Sequence, residues 1–312
     1  MQTPYPIRLT PAVKSPIWGG TRLKTAWGVR TDAPTVGEAW VLCVRPGEQN
    51  RIENGPWEGR TLNEVVEQYG ESAGQFPLLI KLLHAADTLS VQVHPDDDYA
   101  ARVENDRGKT EMWHILEAEP GSELIFGIRP GYGKEKFAEA VRAGDPERAL
   151  GHVPVKPGET YFIPAGMPHA IGKGILLAEI QQNCDLTYRL WDFGRLGLDG
   201  KPRELHVAKA LDVSRPFAQE EIDAIRYARC PDADRETVLA DCACFRVEKR
   251  RLKDGDTTSA GKRFRHLLCL SGEGSLTDAT GSYPVCRADS YLLPPGGCCA
   301  VRGDLTVLLS EP

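Results

Sequence analysis

Residues 155–171 read VKPGETYFIPAGMPHAI, and residues 285–301 read VCRADSYLLPPGGCCAV. The two stretches align without a gap. Val155/Val285, Tyr161/Tyr291, Pro164/Pro294, Gly166/Gly296 and Ala170/Ala300 are identical, and most other positions keep their character. Each copy has an apolar β-branched or aromatic run, a Pro-Gly turn and a second apolar run, the pattern of strand, tight turn, strand. A weaker pair, HILEAEPGSEL from His114 and HLLCLSGEGSL from His266, extends the repeat toward the N-terminus. The first copy is longer between the two blocks, and the surplus coincides with a helical insert at about 131–150. Internal repetition of this kind implies two small antiparallel barrels in one chain. The expected division is residues 1–215 for the first barrel with its insert and residues 216–312 for the second.

Around this repeat, 31 glycines and 23 prolines in 312 residues fit many short strands with tight turns. A few helices still stand out. Thr61 and Glu64 form a capping box before Leu62, Val65 and Val66. Asp96, Asp97 and Asp98 open a second helix, because negative charge is favoured at a helix N-terminus. Residues 134–142 and 203–212 carry the other two helical patterns. With 26% charged residues and a net charge of −6, the chain can bury a core and lacks the basic excess of a nucleic-acid or anionic-membrane binder. No apolar run approaches the ~20 residues of a membrane span. The proline-punctuated segment from Met1 to Trp18 has no signal-peptide pattern, and nine cysteines are read as reduced thiols of a cytoplasmic protein. Cys242-Ala-Cys244 and Cys298-Cys299 lack structural-zinc spacing and read as buried thiols.

The two copies are chemically unequal. His169 in the first is answered by Cys299 in the second, so the chemistry belongs to the first barrel. In Ser90-Val-Gln-Val-His94 the polar residues share one strand face, and Val91 and Val93 share the other. With Glu111 in GKTEMWHIL and His169 in PAGMPH, two imidazoles, a carboxylate and the Gln92 amide oxygen arrive from three strands. That donor set suits one divalent metal with an open position; Zn²⁺ is the first choice, and Fe²⁺ or Mn²⁺ also accept these ligands. Each residue also has a plainer reading. A strand histidine commonly bonds its neighbours, Gln92 can satisfy a backbone group, and Glu111 can pair with Lys109 or Arg107.

These blocks resemble the short bacterial form of type I mannose-6-phosphate isomerase, a zinc-dependent cupin enzyme. The resemblance runs through WGG at 18–20, GEAW at 37–40, PLLIKLLHAADTLSVQVHPDDDYA at 77–100 and GKTEMWHIL at 108–116. It continues in VPVKPGETYFIPAGMPHAIG at 153–172, EIQQNCDLTYRLWDFGR at 179–195 and RELHVAKALDV at 203–213. It implies a mainly β fold of two cupin-type jelly-roll barrels in tandem with a few peripheral helices. It implies one Zn²⁺ per chain held by His94, Glu111 and His169, with Gln92 as fourth ligand, and Arg189 as the active-site arginine. Cys184 stands where the family commonly has serine, and His84 and Ala85 replace more usual residues; neither change touches the ligand set. The large helical insertion of longer members is absent.

The implied reaction interconverts mannose 6-phosphate and fructose 6-phosphate. It needs a Lewis acid, a base to move a proton between C1 and C2, and cations for the phosphate. Arg189 can grip phosphate or a developing oxyanion bidentately. Lys81, Lys109 and Ser90 are the further substrate-binding candidates. Glu179 and Lys109 are the candidate proton carriers, Glu179 alternatively holding Arg189. Asp192 and Arg195 are expected to form a salt bridge that shapes the loop after Arg189. Two rival readings are kept: another metal cupin enzyme, such as a dioxygenase or an epimerase-like sugar enzyme, using the same ligands on iron, and a non-enzymatic sugar-phosphate-binding cupin, which would not need the complete set of Gln92, His94, Glu111, His169 and Arg189. The expected partner is a small sugar phosphate, with no nucleic acid and no membrane; the oligomeric state is left open.

Overall fold

The computed structural model describes residues 3–45, 47–72, 75–227 and 236–312. It is mainly β, with short helices at its periphery. A seven-stranded sheet runs, in hydrogen-bonded order, Arg226–Tyr227, Thr160–Ile163, Glu111–Ala118, Ile175–Gln182, Leu78–Ala85, Glu38–Leu42, Ala12–Lys14. A five-stranded sheet runs Leu150–Pro154, Glu123–Ile128, His169–Ile171, Val91–Val93, Tyr188–Trp191. Every pairing in both is antiparallel. Neither closes into a hydrogen-bonded ring. The jelly roll is closed by packing, where Leu83, Trp113, Ile115 and Leu177 of the larger sheet meet Leu124, Phe126 and Ile171 of the smaller.

The period of two along each central strand decides which residues reach the interior. On Leu78–Ala85, Leu78, Ile80 and Leu82 face a second core, while Lys81 and Leu83 face the first. On Ile175–Gln182 the same alternation sends Leu176, Ala178 and Ile180 one way and Leu177 and Glu179 the other. These strands are therefore apolar on nearly every residue, as expected of a sheet buried on both faces.

The second core joins the halves. Ile80, Leu82 and Met112 pack with Phe245, Phe264, Leu268, Leu292 and Leu308 in one cluster. The C-terminal half supplies seven strands of a nine-stranded sheet, which Ile7–Thr10 and Arg51–Ile52 complete; it is built on two 14-residue strands, Arg265–Asp278 and Cys298–Glu311. One cluster holds Leu267 and Leu276 from the first of these together with Val301 and Leu309 from the second. Leu267 stands opposite Leu309 and Leu276 opposite Val301, and the same cluster holds Tyr291 and Leu305, both fully buried. Exchange ties the halves further. Ile7–Thr10 pairs with Ser290–Leu293 of the C-terminal sheet, and Arg226–Tyr227 pairs with Thr160–Ile163 of the N-terminal one.

The helices expected at Thr61, Asp96 and Lys134 form at Leu62–Gln68, Asp97–Glu104 and Lys134–Arg142. The first has both halves of its capping box, and Asp96 caps the second by accepting from the Tyr99 N–H at 2.8 Å. The pattern at 203–212 becomes helical only from Val207 to Val213, because the His206 N–H instead donates to the Arg189 carbonyl at 2.7 Å. Cys299 is buried, but its neighbour Cys298 is exposed, since successive strand residues point to opposite faces. Cys242 and Cys244 are half-buried. Among the described residues, no helix is long and apolar enough to cross a membrane.

Candidate active site

Three strands and two turns bring the metal candidates together. Gly166 adopts a positive φ of 86° in the PAGMPH turn, and its N–H donates to the His94 carbonyl at 2.9 Å. That bond ties the turn before His169 to the residue bearing the other imidazole. Gly108 lets the GKTE segment lie against the HPDD turn: a Cβ there would meet the Asp97 nitrogen at 2.5 Å. Next to it, the Lys109 N–H donates to the Pro95 carbonyl at 3.0 Å.

His94, Glu111 and His169 are buried, and their ligand atoms lie within 4.8 Å of one another. His94 Nδ1 lies 2.8 Å from the Leu186 carbonyl and His169 Nδ1 lies 2.8 Å from the Met167 carbonyl. A carbonyl only accepts, so each Nδ1 carries the proton and each Nε2 is a bare lone pair. Both Nε2 atoms point at Glu111: His169 Nε2 is 3.3 Å from Oε1 and His94 Nε2 is 3.8 Å from Oε2. His169 Nε2 and Glu111 Oε1 have no hydrogen-bond partner. Acceptors converging in a dry site, with their outer nitrogens held by backbone, are the arrangement a divalent cation satisfies. The residues present fit the metal.

Burial governs the titration here. It pushes the His169 imidazole down to about 3 and holds His94 well below its ordinary value, with the Lys109 charge adding to the latter. Burial and the Glu179 charge push the Glu111 carboxyl up to about 7. Lys109 Nζ is 2.8 Å from Glu111 Oε2 and 3.0 Å from His94 Nε2.

A cavity of about 290 Å³ opens beside this cluster, lined among others by Lys81, Ser90, Gln92, Lys109, Glu179 and Arg189. Every non-metal candidate from the sequence therefore lines one space. Gln92 is half-buried and sits opposite His169 on one neighbouring strand and Arg189 on the other. Lys81 ion-pairs with Glu179 at 3.1 Å and Glu38 at 3.7 Å. Burial alone would raise the Glu179 pKa, but the Lys81 and Lys109 charges and the Trp113 N–H bring it down to about 2. The Arg189 guanidinium donates to Ser90 Oγ at 3.3 Å and to the Glu204 carbonyl at 2.9 Å.

Sequence reasoning gave no site role to Glu38 or Arg203. Glu38, in GEAW, is the second carboxylate on Lys81. Trp113 is fully buried, donates to Glu179 at 2.9 Å and stands edge-on to His169 at 5.2 Å. Asp192 binds Arg195 at 2.7 Å as expected, and also Arg203 at 2.5 Å. Alternation along GEAW could have placed Glu38 on the Lys81 side; nothing local marks the Asp192–Arg203 pair.

Known proteins resemble this chain in sequence and fold. Residues 7–119 match the family described as phosphomannose isomerase type I, catalytic domain. Mannose-6-phosphate isomerase ManA of Bacillus subtilis is 37% identical over 300 residues, covering 94% of each chain. The mannose-6-phosphate isomerase of Streptococcus mutans is 34% identical, covering 93% of this chain and 92% of its own. The crystal structure of mannose 6-phosphate isomerase from Bacillus subtilis superposes with a TM-score of 0.87 at 31% identity, over 98% of this chain and 99% of that one. Sequence kinship along nearly the whole length, and a fold that brings two histidines and a glutamate into one buried cluster, place the chain in the type I mannose-6-phosphate isomerase family.

Proposed function

We propose that this cavity interconverts mannose 6-phosphate and fructose 6-phosphate, with residues 1–215 carrying the site and residues 216–312 supporting it through the shared core. The observation that carries the reading is the trio of buried acceptors His94, Glu111 and His169 beside a cavity that also presents Arg189 and Lys81. His94, Glu111 and His169, with Gln92 as the fourth donor, would hold one divalent ion, and the nitrogen–oxygen donor set favours Zn²⁺. When bound, that ion supplies Lewis acidity to the sugar oxygens.

The chain's own residues do the rest. The reaction removes the proton on C2 of the aldose, returns a proton to C1 and moves the carbonyl from C1 to C2. Glu179 and Lys109 are the candidate proton carriers lining the cavity. Glu179, held near 2 by its cationic neighbours, keeps a proton poorly at neutral pH. Its part is to fix Lys81, which leaves Lys109 as the candidate carrier. Lys81 and Ser90 present donors to the sugar hydroxyls. Arg189, permanently charged, faces the developing oxyanion with a planar fork.

The test is a coupled assay of the purified protein with mannose 6-phosphate, before and after chelation and with zinc restored. Turnover lost on chelation and regained with zinc is the expected outcome. A fully metallated protein without turnover sinks the substrate assignment. Oxygen-dependent activity that requires iron would point to the other class of cupin enzyme.

A further inference from the structure

We infer that Arg203, oriented by Asp192, is a binding residue for the phosphate group, at the end of the cavity away from the metal candidates. The inference rests on the sugar-phosphate reading above and goes beyond it, because it assigns which end of the substrate lies where.

The segment 90–94, centred on the strand Val91–Val93, lays out the cavity. Its polar face carries His94 at one end, Gln92 in the middle and Ser90 at the other, about 13 Å apart end to end at ~3.3 Å per residue. Tyr188–Trp191 runs antiparallel to it, with Tyr188 opposite Val93 and Trp191 opposite Val91. Arg189 therefore projects toward Ser90, which it touches at 3.3 Å. The chain then makes a closed loop, with Leu196 bridged to Pro202 and the Gly197 N–H donating to the Lys201 carbonyl at 2.7 Å. It returns beside Arg189, where the His206 N–H donates to the Arg189 carbonyl at 2.7 Å. The return strip puts Arg203 on the cavity wall.

Asp192 holds Arg203 there. Its carboxylate takes Arg203 Nε at 2.7 Å and Nη2 at 2.5 Å, the bidentate fork that fixes a guanidinium plane. Asp192 is itself buried and also takes Arg195 Nη2 at 2.7 Å. Arg203 Nη1 keeps its donors, with no partner among the described residues. Arg195 and Arg203 thus share one buried carboxylate, Arg195 also pairing with Asp87 at 3.2 Å, while the nearby Arg189 guanidinium has no ion-pair partner among the described residues, which leaves positive charge at this end; the Glu204 carboxylate is 84% exposed.

The inner end differs. Lys81 lies between Glu38 and Glu179, and Lys109 lies against Glu111. A phosphate dianion placed on either lysine would face a buried carboxylate. The cavity is electrostatically polarised: its inner end suits a cation and neutral hydroxyls, and its Arg189–Arg203 end suits an anion. A six-carbon sugar phosphate spans the two, carbonyl inward and phosphate outward.

The test uses the zinc-loaded enzyme, with the reduced polyol phosphate of the substrate as probe, because it has no carbonyl to isomerise. For Arg203→Gln, KM for mannose 6-phosphate and Kd for the polyol phosphate are expected to rise roughly 10- to 100-fold, with kcat changed less than about threefold. Arg203→Lys, which keeps charge and fold but loses the fork, is expected to fall between. Asp192→Asn settles the positioning role by sign. By charge alone, removing an anion beside the phosphate tightens binding; loss of Arg203 orientation weakens it, and weakening is expected. Unchanged KM and Kd in the Arg203 variants overturn the assignment, and tighter binding in Asp192→Asn overturns the positioning role. If the wild type binds the polyol phosphate through Arg203 yet does not isomerise the sugar, the activity reading falls and this one stands.

Discussion

His169 Nε2 and Glu111 Oε1 face one another at 3.3 Å, and neither atom has a hydrogen-bond partner. Two acceptors in this arrangement repel unless a cation joins them. Removing the ion should therefore cost stability as well as turnover. Zinc at about a hundredfold excess over its Kd is expected to stabilise the folded chain by about 3 kcal/mol. His169→Ala should weaken metal affinity by more than about 100-fold, the upper range for lesser outer contacts. Metal content after dialysis and thermal unfolding with and without zinc check this without any assay of activity.

Lys81 and Glu179 form an ion pair whose side chains are 6% and 3% exposed. Glu179→Gln keeps the shape and the Trp113 contact but leaves the buried ammonium with Glu38 alone, at 3.7 Å. The expected cost is about 3 kcal/mol, at the low end for a broken buried pair, because Glu38 compensates part of the ammonium's desolvation. Glu179→Gln with Lys81→Met should recover part of that loss. Urea denaturation of the two variants measures it. A single variant with near-normal stability and turnover would remove Glu179 from both the scaffold and the mechanism.

Arg189 and Ser90 should act as a unit. Arg189→Ala is expected to lower kcat/KM by about 10²- to 10³-fold, as loss of an oxyanion donor does. Ser90→Ala should cost only a few-fold in the native background and nothing further once Arg189 is gone. A double-mutant cycle reads the coupling directly. Additive losses would mean the 3.3 Å contact carries no energy.

Acid sensitivity should begin above the carboxylate range. Burial holds His114 and His266 down to about 3, against 6.5 when unfolded. Between those values the unfolded chain binds protons that the folded chain refuses. Stability therefore rises with pH there and is lost as pH falls below about 6.5. Each such group contributes a slope of up to about 1.4 kcal/mol per pH unit. His114→Gln should flatten the stability profile between about pH 6 and 4.5 by one such increment, whatever its effect at neutral pH. An unchanged slope by urea titration at several pH values refutes the prediction.

The halves should unfold together. Ile7 pairs with Leu292 across the two halves, and Ile80 packs in the same cluster as Leu268 and Leu308. Ile80→Ala is expected to cost about 2–5 kcal/mol, with hydrogen-exchange protection lowered in both halves. Protection lost only in residues 78–85 and their neighbours would show the halves to be independent.

Much of this was legible in the chain because it depends on short-range chemistry. The gapless repeat at 155–171 and 285–301 pointed to a mainly β chain, and both segments form strands, Thr160–Ile163 and His169–Ile171 in the first and Ser290–Leu293 and the start of Cys298–Glu311 in the second. The turn prolines, the capping box at Thr61 and the Asp96 cap act within a few residues and placed their elements correctly. Alternation in Ser90–His94 set which residues share a face, and the family blocks pointed to His94, Glu111 and His169, which the fold brings together. The tertiary structure alone decided the partners. Glu38 and Glu179 meet Lys81 only through the register of strands far apart in sequence. Asp192 meets Arg203 only because a loop closes at Leu196 and Pro202. The exchange of Ile7–Thr10 into the C-terminal sheet likewise left no local mark. A strand's pattern states which face each side chain takes, and only the assembled sheet states what stands opposite. Charge pairing in the cavity follows from the second fact, so the polarity of the site belongs to the fold.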